Sequence, residues 1–128
     1  MSTDPADSDE DQEHLLVPLA AADAAALGSD GEHLAALLAT ALHGLALLRA
    51  GAAPTDDLAT ALSGTTALLE RLEGLRDATV RQHAAQSGSY GSLAKATGVS
   101  RATAQSRRDT LLRKDPGELE HWATGTTG

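Results

Sequence analysis

Leucine and alanine recur along the first half of the chain at spacings of three and four. Leu34, Leu37, Leu38, Ala41, Leu42, Leu45 and Leu48 form one such series, which has the period of an amphipathic α-helix. Ser29 precedes it with Glu32 three residues on, the pattern of a capping box, and Gly51 follows it. The spacing predicts a helix from about residue 30 to Ala50. Pro54-Thr55-Asp56-Asp57 opens a second helix. Thr55 fits its N-cap, and the two aspartates favour the positive end of the helix dipole. Leu58, Leu62, Thr65, Leu69, Leu72 and Leu75 or Arg76 continue a face, and this helix can run to about Gln86. At 1.5 Å per residue it is roughly 45 Å long, more than one small core can cover. The two stripes predict an antiparallel or crossed homodimer through residues 32–75, with Leu34, Leu37, Leu38, Leu42, Leu45, Leu62 and Leu69 at its interface.

Shorter elements flank this body. Leu15 to Pro18 reads as extended, and residues 19–27 as a short helix ending at Gly28. Gln86-Ser87-Gly88-Ser89 breaks the long pattern. Ser89 then caps a helix over 90–97, Gly98 ends it, and Ser100 caps another running to about Arg113. In Asp115-Pro116-Gly117-Glu118, Asp115 fits an N-cap with Pro116 at N1 and Glu118 at N3, opening a last helix that carries Leu119 and Trp122. No segment reads as a strand. The expected fold is all-α, with four parts: an acidic disordered tail (1–13), a helical dimerisation body (14–75), a helix-turn-helix module (76–113), and a short C-terminal helix and tail (114–128).

Composition sharpens this. The chain is rich in Ala and Leu, has no Phe, and has one Tyr and one Trp. That suits closely packed helices, with a core thin enough to need a second chain. The absence of cysteine excludes disulfides and thiol chemistry. No apolar run approaches the roughly 18–20 residues of a membrane span, and the acidic start is unlike a secretory signal, so the expected location is the cytoplasm, at the nucleoid. The formal net charge is −8, but it is partitioned. Residues 1–70 hold twelve acids against one base, Arg49, whereas residues 71–114 hold nine bases against three acids. A basic segment on an acidic body points to a polyanionic partner.

That segment has a turn between two capped helices, the helix-turn-helix arrangement. Ala94 is small enough to let the helices cross closely, Gly98 permits the positive φ of a sharp turn, Val99 fills the core from the turn, and Ala104 faces inward. Ser100–Arg113 is then the recognition helix, presenting Arg101, Ala102, Gln105 and Ser106 to base edges in the major groove of double-stranded DNA. Arg81, Ser89, Tyr90, Lys95, Ser100, Arg107, Arg108 and Arg113 are the expected phosphate contacts.

The stretch LRDATVRQHAAQSGSYGSLAKATGVSRATAQSRR resembles the small helix-turn-helix modules common in actinobacterial regulators. The match uses Arg76, Asp77, Val80, Ala84, Gly88, Ser89, Tyr90, Leu93, Ala94, Gly98, Val99, Ser100, Arg101, Ala104 and Arg107. It covers residues 75–108 and implies DNA binding, usually as a dimer, and transcriptional regulation. Two departures stand out: Arg108 replaces a frequent aromatic, and Gln82-His83 replaces Ala-rich sequence.

Other chemistries find less support. His14, His33, His43, His83 and His121 are scattered without metal-ligand spacing. Asp56 and Asp57 point in different directions on a helix, and capping accounts for them. Ser87, Ser89 and Ser92 near His83 lack an orienting acid and an oxyanion site. The expectation is a non-enzyme without cofactor or metal, acting as a homodimeric repressor, with no membrane partner. The rival reading is a protein-interaction module, antitoxin-like or sigma-factor-binding, whose basic helix meets an acidic partner. A third is an effector-responsive regulator with a pocket between the Leu/Ala helices. The six acids of residues 1–13 are also suited to compete with DNA for the basic helix.

Overall fold

The computed structural model describes residues 17–126, so the expectations for the acidic tail and for Leu15 and Leu16 lie outside the described residues. Among the described residues there are six α-helices and no strand, and the fold is all-α as expected. The helices are α1 (Ala21–Leu27), α2 (Ser29–Ala50), α3 (Thr55–Ala85), α4 (Tyr90–Thr97), α5 (Arg101–Leu112) and α6 (Glu118–Thr124). Two compact units divide after Glu32, inside α2.

In the first unit α1 buries nothing and begins without a side-chain cap. Gly28 ends it at a φ of 55°. Ser29 is itself the first helical residue of α2, so the expected Ser29 N-cap is corrected.

Within the second unit, residues 33–126, four helix pairs touch: α2 with α3, α3 with α6, α4 with α5, and α3 with α5. The first is between α2 and α3, which approach in an antiparallel sense through small residues. A Cβ on Gly44 would lie 2.7 Å from the Ala61 methyl, and one on Gly64 would collide with Thr40. Gly44 and Ala61 are buried there. The leucines lie elsewhere. Leu38, Leu42, Leu45, Leu58, Leu62 and Leu69 remain 37–68% exposed, whereas Leu34 and Leu37 are partly buried. The helix α3 starts after Pro54, which holds the N-cap position with extended backbone and no cap bond, so Thr55 is not the cap. Helix α2 has 22 residues, and an 18-residue window of it has a mean hydropathy of 1.4. By length and composition it could cross a membrane, which corrects the expectation that no run approaches that length.

The second contact is α3 against α6. Gly74 is buried where the α6 backbone crosses: a Cβ there would stand 2.6 Å from Leu119 Cβ and 2.7 Å from its carbonyl oxygen. The Gly at this position costs helix propensity, but it lets the two backbones meet. Trp122 lies beside it with the Arg71 guanidinium 4.6 Å from its ring centre, a favourable cation–π pair. The α6 N-cap is Gly117 and the N3 residue is Glu120, which accepts from the Gly117 N–H at 3.0 Å. The expected cap at Asp115 with Glu118 at N3 is thus displaced by two residues.

The third contact is α4 against α5, described next. Residue 75, expected as a domain boundary, lies inside the uninterrupted α3, so body and module share one helix.

Candidate nucleic-acid interface

Helix α3 ends through a serine. The Gly88 N–H reaches the His83 carbonyl at 2.8 Å and the Ser87 N–H reaches that of Ala84 at 3.0 Å. That pair of bonds is a Schellman motif, and its left-handed residue is Ser87 at a φ of 63°. Next to it Gly88 leaves room for the His83 imidazole, which a Cβ would strike. Ser89 caps α4 as expected, its Oγ accepting from the Ser92 N–H at 3.0 Å.

The turn between α4 and α5 also follows the sequence. Gly98 takes a φ of 70°, and the Gly98 and Val99 N–H groups both donate to the Ala94 carbonyl, that of Val99 at 3.2 Å, which closes α4 with a left-handed residue. Ser100 is extended, and its Oγ accepts from the Thr103 N–H at 3.1 Å. Leu93, Ala94 and Ala104 form the buried cluster, with Val80 and Val99 packed on it. Ala104 is 2% exposed, the most enclosed side chain of that cluster. A larger residue would force the helices apart.

Arg101, Ala102, Gln105, Ser106 and Arg107 line the outside of α5 and are exposed, as are Lys95 on α4, Ser100 in the turn and Arg113 at the end of α5. Among the described residues none of these bases makes an ion pair. They form one basic face around the start and flank of α5.

Three expected phosphate contacts are engaged inside the protein instead. The Arg108 guanidinium lies 4.0 Å from the Tyr90 ring centre, and its Nη1 donates to the Gly88 carbonyl at 2.7 Å. Its Nε is buried without a partner. The Tyr90 hydroxyl donates to Asp109 Oδ1 at 2.8 Å. Arg108 therefore stands in for the aromatic expected at its position by stacking on Tyr90 while it holds the α3–α4 turn. Asp109, an acid on α5 itself, is held by that hydroxyl.

Arg81 is the third residue so engaged. Its Nε donates to Glu120 Oε1 in α6, and its Nη2 donates to the carbonyls of Leu111 (2.9 Å) and Lys114 (2.8 Å). Carbonyls at a helix end carry negative partial charge, so Arg81 closes the C-terminus of α5. Glu120 is buried. Burial alone would push its carboxyl up, but the Arg81 hydrogen bond, the Gly117 N–H and the charges of Arg81 and His121 outweigh that and hold it below the usual carboxylate range. Sequence reasoning missed Glu120 because its partner lies 39 residues away; the available signal was an acid at N3 of the last helix.

Comparison with protein-family models, with curated proteins and with solved structures found no match to this chain.

Proposed function

We propose that the protein is a sequence-specific, double-stranded-DNA-binding regulator that acts as a homodimer, with α5 as its reading helix. The observation that carries this reading is the α4–Gly98–α5 hairpin, closed on Ala104 and capped at Ser89 and Ser100, with its outer basic face unpaired. Arg101, Ala102, Gln105 and Ser106 read bases, as Arg suits guanine, Gln suits adenine and an Ala methyl suits thymine. Lys95, Arg107 and Arg113 neutralise phosphates, and the Ser89 hydroxyl, which already accepts a cap bond, keeps a proton to donate, whereas the Ser100 hydroxyl donates to Thr103 Oγ1 at 2.9 Å and must turn from it to reach a phosphate. Arg81, Tyr90 and Arg108 support the reading helix from behind. The exposed leucines of α2 and α3 form the seam with a second copy, which sets two reading helices on a two-fold related site. Occlusion of a promoter is the simplest action of such a dimer.

Selection from random duplex DNA at near-physiological salt tests this. A symmetric motif should be enriched, and changing Arg101 and Gln105 to Ala should cost about 1–3 kcal/mol of discrimination at the bases they read. Arg113→Ala should weaken all sequences alike and lower the salt slope by about one. If no duplex is bound better than random DNA, the reading fails, and an acidic protein surface becomes the partner to seek for the basic face.

A further inference from the structure

The recognition helix has little to hold its far end. Its N-terminal half is fixed by the Ser100 cap and by Ala104 against Leu93 and Ala94. Helix α3 touches it through Val80, which packs on that cluster, and beside this contact an open groove of about 830 Å³ runs along α5 as far as Leu111 and Lys114. The buried apolar cluster reaches only as far along α5 as Ala104. What reaches the far end of α5 is Arg81, a residue of α3 whose Nη2 bonds the Leu111 and Lys114 carbonyls.

Arg81 is itself aimed by α6. Its Nε bonds Glu120, and Glu120 is fixed in turn by the Gly117 N–H. Helix α6 is fixed on α3 by the Gly74–Leu119 approach and by Trp122 under Arg71. A planar guanidinium offers donors in a rigid fork, so a carboxylate that fixes one edge also fixes the direction of the other.

We propose that α6 is a positioning clasp for the recognition helix: Glu120 orients Arg81, and Arg81 sets where the end of α5 stands relative to the long helix. This rests on the DNA-reading role of α5. The clasp acts on geometry, so its loss degrades discrimination between sequences more than attraction to phosphate, which depends on charge. Glu120→Gln removes the charge and leaves one acceptor for two donors. Arg81→Lys keeps the charge but cannot serve the carboxylate and two carbonyls in the fork geometry.

The test uses the full chain and three measurements. Binding to a selected duplex and to random duplex is compared at fixed salt, amide exchange is followed at residues 112–114 and at Leu93 and Ala104, and thermal unfolding is recorded. In Glu120→Gln the ratio of specific to random affinity should fall at least tenfold, with random affinity within twofold of the parent. Exchange at 112–114 should quicken at least tenfold while Leu93 and Ala104 keep their protection. Arg81→Lys should fall between the parent and Arg81→Met in both measurements. An unchanged affinity ratio, or one restored by a stabilising osmolyte that raises the unfolding temperature back to the parent's, makes the pair merely structural and overturns the proposal. Should the parent itself prefer no duplex, the DNA reading fails on its own. The clasp is then judged by exchange alone, and unchanged rates at 112–114 sink it.

Discussion

Helices α2 and α3 and helices α4 and α5 are both hairpins joined by short connections, and they hold together in different ways. The α4–α5 pair meets over Leu93, Ala94 and Ala104, three of its four helix ends are capped by a serine or a left-handed glycine, Arg81 closes the fourth, and Tyr90, Arg108 and Asp109 tie its rim. Of its leucines, Leu93 is buried and Leu111 partly so, and only Leu112 is exposed. The α2–α3 pair meets over Thr40, Gly44, Ala61 and Gly64, and it turns most of its leucines outward. Small residues bring two backbones close, but they bury little apolar area, and burial of area drives folding. The first hairpin is complete within one chain. The second carries apolar surface of the kind that marks an interface.

The largest expected effect comes from breaking that asymmetry on the body side. Glutamate at both Leu42 and Leu62, which are 44% and 68% exposed, should leave the single-chain helices intact while charging the proposed seam. Sedimentation should shift from dimer to monomer, and affinity for the selected duplex should drop at least a hundredfold, because one module loses the avidity of two. A variant that stays dimeric would place the interface on another face.

A smaller effect is expected where the two regions join. Gly74→Val puts a branched side chain against the Leu119 backbone. Overpacking of this sort costs about 1–3 kcal/mol, offset in part by the better helix propensity of Val over Gly. Undocking of α6 should appear as a red shift of Trp122 fluorescence and a lower unfolding temperature. If Trp122 emission is unchanged, the close approach at Gly74 does not hold α6.

The two regions were also unequally legible in the sequence. The module could be read nearly residue by residue, since Ser89, Gly98, Ser100 and Ala104 act through local rules of capping, positive φ and small size. The period of the body helices was legible too, but a stripe of leucines does not say what it packs against. The contact within the chain formed instead at Thr40, Gly44, Ala61 and Gly64, whose small size was masked by the leucines between them. Charged residues were the least legible. Arg81, Arg108 and Arg113 look alike in sequence, yet the first two meet Glu120, Gly88 and Tyr90 only after folding. A guanidinium's role depends on partners 18 to 39 residues away.

Titration gives the smallest and most selective way to separate the regions. Glu120 is buried with a carboxyl held below its usual range, chiefly because the Arg81 and Gly117 bonds and the nearby positive charges overcome burial. A depressed folded value means that the unfolded state takes up the proton first. The stabilisation is therefore fully present above the unfolded carboxyl value of 4.5 and is lost as the pH falls through the lower folded value. Between pH 5 and 8 this group should leave stability flat. Below pH 4.5 the α3–α6 clasp should loosen, and Trp122 should report it. Glu120→Gln should remove that part of the acid response while lowering stability at neutral pH. An acid transition of the same size in the Gln variant would mean that other carboxylates govern it and that the Arg81–Glu120 pair contributes little net free energy, as many ion pairs do.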